Sequence, residues 1–259
     1  MAYSTIVYEK KGRIAKITLN RPEVLNAMNS VMSDELDQAV DGISKDNDID
    51  VMILTGAGRG FCAGRDLKEV LSFDQGPKAR VGLMERIRNL PFPTLCAVNG
   101  PAVTGGLELV IACDLIIASE KAVFADTHAR AGLVPGGGMS QILPRLVGVN
   151  RAKEISFTGR YLPAQEAYQI GLVNKVVPHD QLMSAAESMA NDILSCNQKA
   201  LRRGKSLIEK GLTLGLEAGL RIEALEMLRW REEQRKLPPE EAAKLREQVL
   251  QKGRSQQKK

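Results

Sequence analysis

The chain has 259 residues, of which 44% are hydrophobic and 26% charged, a composition typical of a folded globular protein rather than a disordered one. The net charge of +5 would suit nucleic acid, but the sequence has no helix-turn-helix or ribonucleoprotein motif and no interleaved aromatic residues, so no such partner is expected. No apolar run is long enough to cross a bilayer, and the N-terminus lacks a basic flank and an apolar signal region, which argues against a membrane partner and against secretion.

The cysteines and histidines do not form a metal-binding or disulfide pattern. The four cysteines are far apart in the sequence and include no C-x-x-C pair. Only two histidines are available as further metal ligands. We therefore expect no metal site, reduced thiols and a cytoplasmic location.

The first part of the chain predicts a hairpin, a helix and a buried strand. Apolar and polar residues alternate over 5–8 and 14–19, with a glycine between the two runs, which indicates a β-hairpin. Apolar residues then recur on one face of a helix that begins near Ser30 and runs to about Ile43. Residues 51–54 are all apolar and are followed by glycines, as in a buried strand.

The same alternation continues to about residue 180. A strand, a glycine-containing turn and a helix are predicted at 94–98, 99–106 and 107–112. Strands at 115–118 and 123–124 precede a helix over 138–146, which Pro144 is expected to kink or end. Strands that are apolar on both faces and alternate with helices predict a parallel sheet covered on each side.

The C-terminal part of the sequence changes in character. A helix is predicted over 163–170 and an extended segment over 172–177, and almost everything after residue 181 is predicted to be helical. We therefore predict an α/β core domain over residues 1–195 and a helical region over 196–259.

Two glycine-bearing turns, residues 61–69 and 97–109, are candidates for the functional site. Each follows an apolar strand and precedes a predicted helix. Backbone N–H groups at a helix N-terminus are unpaired and can stabilise a developing negative charge. Gly105 would let a ligand approach the backbone closely. Tight turns alone would also account for these glycines.

Several short sequence motifs follow one another in an order that is unlikely to arise by chance. They are residues 17–22 (ITLNRP), 25–27 (LNA), 53–56 (ILTG), 61–67 (FCAGRDL), 97–109 (AVNGPAVTGGLEL), 112–114 (ACD), 132–138 (GLVPGGG) and 164–173 (AQEAYQIGLV). Together they resemble the crotonase (enoyl-CoA hydratase/isomerase) superfamily. The resemblance implies an α/β crotonase-like (ClpP/crotonase) fold, in which repeated ββα units form a parallel-sheet core. It also implies that the C-terminal helices assemble a homotrimer or a dimer of trimers.

The same resemblance implies a site for an acyl-CoA substrate, with coenzyme A as part of the substrate and no permanently bound cofactor. The backbone amides of Arg65 and Gly105 would hold the thioester oxygen. Enoyl-CoA hydratases use two glutamates around a water, and Glu108 stands at the first of these positions. His128 stands at the second, where a neutral imidazole could orient a water or take a proton and Asp126 could hold the ring.

Main-chain groups near the start of the chain and in the first glycine turn would contact the substrate. The expected binding residues are Val24, Leu25, Ala63, Arg65, Asp66, Leu67, Lys68 and Gly105. The expected activity is hydration of an α,β-unsaturated acyl-CoA. Because His128 replaces the second glutamate, double-bond isomerisation, thioester hydrolysis and acyl-CoA binding without chemistry remain alternatives.

Overall fold

The computed structural model describes residues 3–70 and 82–241, together with residues 243 and 247. The chain divides into two compact units, Met1–Arg202 and Arg203–Lys259. The boundary predicted between residues 195 and 196 lies slightly earlier. Arg202 is the last residue of the first unit, and its guanidinium donates to the carboxylate of Asp50 at 2.7 Å and to the carbonyl of Ile49 at 2.8 Å.

The first unit is built on two sheets. Their strands are β1 (Ile6–Lys11), β2 (Ile14–Leu19), β3 (Val51–Gly56), β4 (Thr94–Val98), β5 (Ala102–Val103), β6 (Leu115–Ser119), β7 (Val123–Ala125), β8 (Leu162–Pro163) and β9 (Lys175–Val177). The larger sheet has the order β1-β2-β3-β4-β6-β9, and the smaller has the order β5-β7-β8. β1 and β2 are antiparallel, which confirms the predicted hairpin, and the other pairs of the larger sheet are parallel.

Helices cover the sheets within the first unit, and other helices form most of the described part of the second unit. They are α1 (Ser30–Lys45), α2 (Leu67–Val70), α3 (Leu83–Arg88), α4 (Gly105–Ile111), α5 (Met139–Val147), α6 (Val149–Thr158), α7 (Ala164–Gln169), α8 (Leu182–Leu194), α9 (Gln198–Gly211) and α10 (Leu216–Arg235). In the part of the chain that the structure describes, no helix is both long enough and apolar enough to span a membrane.

The central strands of the larger sheet, β3, β4 and β6, are buried on both faces, as their apolar residues predict. Along β3, Met52 and Leu54 point into one hydrophobic core with α1, whereas Val51 and Ile53 point into a second core beneath α8. Alternate residues of a strand face opposite sides of the sheet, so a strand covered on both sides must be apolar throughout. The buried sheet therefore confirms the predicted architecture of an α/β core.

Two predicted helix boundaries differ in the structure. α5 continues through Pro144 to Val147, so this proline does not end the helix. Proline removes the bond to the carbonyl four residues earlier and its ring crowds that carbonyl, but Ser140 is exposed, so water can satisfy the carbonyl. α4 begins at Gly105, two residues before the predicted start.

The N-terminal segment is fastened to α1 by Glu35. The carboxylate of Glu35 accepts hydrogen bonds from the backbone amides and the hydroxyls of Ser4 and Thr5, at 2.5–2.8 Å. Burial alone would raise the pKa of Glu35, but these four hydrogen bonds outweigh it and lower the pKa to about 2. The ionised carboxylate therefore contributes to the stability of the fold.

Substitution Glu35→Gln is expected to lower the free energy of unfolding by about 1–2 kcal/mol at pH 7. Because the folded-state pKa is depressed, this contribution is present above pH 4.5 and is lost as the pH falls towards 2. Urea denaturation at pH 7 and pH 3 should therefore show a smaller difference between wild type and variant at pH 3. Exposed Glu23→Gln serves as the control, and an equal difference at both pH values would contradict the assignment.

The described residues of the second unit are mainly helical. The guanidinium of Arg203 binds Glu226 and Glu233, and it lies 4.8 Å from the centre of the Trp230 ring. Among the described residues of the second unit, the apolar side chains are largely exposed. They include Ile208, Leu212, Leu216, Leu220, Leu225 and Leu228. The homotrimer or dimer of trimers stays a prediction.

Candidate active site

Three backbone segments lie side by side at one end of the larger sheet. Cys62 pairs with Ala102 in a parallel bridge, and Met28 pairs in the same way with Arg65. These pairings bring the first glycine turn between the segment before α1 and the second glycine turn. The two turns singled out in the sequence are therefore neighbours in space.

The amide of Arg65 points away from its bridge partner. Met28 donates its N–H to the carbonyl of Gly64 at 2.7 Å, and its own carbonyl accepts from the N–H of Asp66 at 2.9 Å. In a parallel bridge of this kind, the residue between the two bonded neighbours directs its amide to the opposite side. The Arg65 side chain is exposed, so the group facing the second turn is backbone.

The amide of Gly105 lies next to that of Arg65. Gly105 is the first residue of α4, and N–H groups in the first turn of a helix have no intrahelical acceptor. A Cβ placed on Gly105 would lie 3.7 Å from the Arg65 nitrogen. Neither amide donates to a backbone carbonyl among the described residues. Both amides are therefore available to donate hydrogen bonds to a ligand.

The turn before Gly105 is held in an unusual conformation. Thr104 has φ 56° and ψ −113°, a combination that residues with side chains rarely adopt. Its amide donates to the carbonyl of Ala125 at 2.8 Å, and its hydroxyl is hydrogen-bonded to that of Thr127. These two contacts stabilise the strained residue and thereby set where α4 begins.

Glu108 is buried on α4, with 5% of its surface exposed. Its Oε1 accepts from the backbone amides of Gly137 at 2.6 Å and Gly136 at 3.2 Å. A Cβ on Gly137 would approach the Glu108 carboxyl group to 2.7 Å, so this close contact requires glycine. The burial penalty of the carboxylate is thus offset by backbone donors. The G-G-G run at 136–138 is visible in the sequence, but nothing local in the sequence shows that it contacts Glu108.

His128 faces the other oxygen of Glu108. The ring Nε2 of His128 lies 3.9 Å from Oε2 of Glu108, and both side chains are more than nine-tenths buried. On its other side, Nδ1 lies 2.7 Å from Oδ1 of Asp126. The structure therefore brings the predicted residues Glu108 and His128 together and adds Asp126 behind the ring.

Asp126 carries a depressed pKa. Burial acts to raise the pKa of this carboxyl group, but hydrogen bonds from the His128 ring, the Ser156 side chain and the His128 amide outweigh burial and lower it. Asp126 is therefore a carboxylate at neutral pH. Ser156 lies on α6, and no residue near it in the chain indicates this contact with Asp126.

The expected binding residues lie around the paired turns. The Ala63 amide donates to the carbonyl of Leu25 at 3.0 Å, which joins the two segments expected to bind the substrate. Asp66 forms an ion pair with Arg21 at 3.0 Å. Val24 and Lys68 are exposed, Ala63 is half-buried, and Leu67 begins α2. Among residues 3–70 and 82–241, no three His, Cys, Asp or Glu side chains are grouped closely enough to bind a metal ion.

The fold and this site define an α/β protein that can act on a carbonyl compound. Two adjacent amides can stabilise negative charge on a carbonyl oxygen. A buried carboxylate and an imidazole stand close together on the same helix-and-turn framework, and groups of these types transfer protons. Such a combination is typical of enzymes whose reactions pass through an enolate.

Comparison with known proteins gives the family. The sequence model of the enoyl-CoA hydratase/isomerase family matches residues 9–236. The short-chain-enoyl-CoA hydratase of Clostridium acetobutylicum is 37% identical over 230 residues, covering 86% of this chain and 88% of that protein. The crotonyl-CoA hydratase of Syntrophomonas wolfei is 35% identical over 230 residues, with the same coverage of 86% and 88%. The crystal structure of enoyl-CoA hydratase from Bacillus anthracis matches with a TM-score of 0.82 at 38% identity, covering 86% of this chain and 89% of that one.

The chain therefore belongs to the enoyl-CoA hydratase/isomerase family. Its fold is the crotonase fold, which confirms the fold class expected from the sequence.

Proposed function

We propose that this protein is an enoyl-CoA hydratase, which adds water to an α,β-unsaturated acyl-CoA and catalyses the reverse reaction. Coenzyme A enters as part of the substrate, and the proposed reaction uses no permanently bound cofactor. Relatives at 35–41% identity that are named enoyl-CoA or crotonyl-CoA hydratase support the assignment.

The observation that carries the proposal is the spacing of the two acid/base groups. Glu108 Oε2 and His128 Nε2 are 3.9 Å apart. One water oxygen can lie about 2.8 Å from each of two atoms at this separation and donate a hydrogen bond to both. Glu108 and His128 would therefore hold the water that is added, and the replacement of a glutamate by His128 is compatible with hydration.

Two backbone amides would bind the thioester end of the substrate. The amides of Arg65 and Gly105 would donate to the thioester oxygen, on which negative charge develops as the water oxygen bonds to Cβ. Glu108 would take a proton from that water, and its carboxyl group would then supply a proton to Cα. The exposed side chain of Arg65 plays no part in this step, because the donor is its amide.

The test is turnover of crotonyl-CoA and longer trans-2-enoyl-CoA substrates. Hydration removes the conjugated double bond, so absorbance of the unsaturated thioester should fall, and mass spectrometry should show a product heavier by one water. Free coenzyme A would indicate thioester hydrolysis, and a product of unchanged mass would indicate isomerisation. A folded protein that hydrates no substrate in the series would disprove the proposal.

A further inference from the structure

We propose that Asp126 is a positioning residue that fixes the tautomer of His128, so that Nδ1 carries the proton and the Nε2 lone pair faces Glu108. The catalytic consequence rests on the proposed function. The tautomer itself is a property of the folded protein and can be tested without any turnover.

The local chain geometry makes Asp126 a specific partner for His128. Asp126 follows the end of β7, and one carboxylate oxygen, Oδ1, contacts both the backbone amide of His128 at 3.2 Å and the ring Nδ1 at 2.7 Å. A carboxylate that accepts from the amide two residues later is a common turn arrangement. Here the same oxygen also engages the ring, so the backbone and the imidazole are held together.

The charge state of Asp126 determines which nitrogen is protonated. Asp126 is 2% exposed and ionised, and an ionised carboxylate can only accept hydrogen bonds. A neutral imidazole bonded to it at Nδ1 must therefore donate from Nδ1. Nε2, 3.9 Å from Glu108 Oε2, is then left with its lone pair towards the space between the two side chains.

The need for Asp126 follows from having histidine at position 128. In the pattern that the sequence resembles, a glutamate stands there, and a carboxylate accepts a hydrogen bond from water in either orientation. A neutral imidazole accepts only at the nitrogen without a proton. With the opposite tautomer, Nε2 would donate to the water and could not accept from it. Asp126 thus makes His128 usable as an acceptor.

The tautomer can be read directly by nuclear magnetic resonance. The chain has two histidines, so ¹⁵N-histidine labelling gives two ring systems, and His179→Gln assigns them. In wild type, a pH series that ends where the ring signals no longer change gives the neutral form of His128, and in that form Nδ1 should be protonated and Nε2 unprotonated. Asp126→Asn should shift the ring towards the Nε2-protonated form or a mixture, whereas His179 should keep its signals. A wild-type His128 protonated at Nε2 alone would overturn the proposal.

Kinetics then separate positioning from a structural role. Asp126→Asn should lower kcat for hydration roughly 10–100-fold and change KM for the enoyl-CoA by no more than about threefold. In a His128→Gln background the same substitution should change kcat by less than about twofold, because the group that it positions is gone. An equal loss in both backgrounds would show that Asp126 supports the fold, and the proposal would fail.

The two measurements also distinguish this proposal from the proposed function. If wild type hydrates no substrate but His128 shows the expected tautomer, the hydratase assignment fails and the role of Asp126 in fixing the ring stands. If hydration is efficient and the tautomer is the opposite one, only the role of Asp126 fails. Should Asp126→Asn not fold, the wild-type spectrum still decides.

Discussion

Glu108→Gln is expected to lower kcat for hydration of crotonyl-CoA by about 10²–10⁴-fold. Glutamine keeps the shape of the side chain, and its oxygen can still accept from the amides of Gly136 and Gly137. It cannot take a proton from water near neutral pH. The substitution therefore removes the proton transfer while retaining most of the packing around the site.

The matched control for this substitution is Glu120→Gln, which removes the same charge from an exposed position. It should leave kcat and KM within about twofold of wild type. Both variants should have melting temperatures close to that of wild type. Retention of more than a tenth of wild-type kcat by Glu108→Gln would contradict the role proposed for this carboxylate.

Gly106→Ala is expected to destabilise the fold by roughly 3–5 kcal/mol. A Cβ on Gly106 would lie 2.1 Å from the carbonyl oxygen of Cys62 and 2.9 Å from its carbonyl carbon. Alanine favours a helix by about 1 kcal/mol over glycine, but this gain is smaller than the effect of a clash between two backbone segments. Thermal unfolding should show a fall in melting temperature on the order of 10 °C.

Gly105→Ala is the matched control, because the same atom is added one residue earlier. The closest neighbour of a Cβ on Gly105 is the terminal methyl group of Met28, at 3.1 Å. A flexible side chain can move, so the loss of stability should stay below about 1 kcal/mol. Similar melting temperatures for the Gly105 and Gly106 variants would show that the two turns can separate. That result would contradict a rigid contact between Gly106 and the Cys62 carbonyl.

The sequence by itself determined the layered α/β core. Period-two alternation indicated the hairpin of β1 and β2, and fully apolar residues indicated β3, because a strand buried on both faces leaves no position for a polar side chain. The two glycine turns were also visible, whereas the roles of Glu108 and His128 were implied by the resemblance to the crotonase superfamily. These features are local, since each depends on residues that are neighbours in the chain.

Only the tertiary structure decided how the candidate site is organised. The amides that hold Glu108 come from Gly136 and Gly137, the carboxylate behind His128 has a further partner on α6, and the separation of Glu108 and His128 is set by packing. A buried polar group must be hydrogen-bonded, and the tertiary structure determines which donor lies within about 3 Å of it. Residues that are distant in the chain supply those donors, so no local pattern reveals them. The course of α5 through Pro144 was also decided by the tertiary structure. The carbonyl that loses its hydrogen bond belongs to Ser140, and the exposure of Ser140 to water is a property of the folded chain.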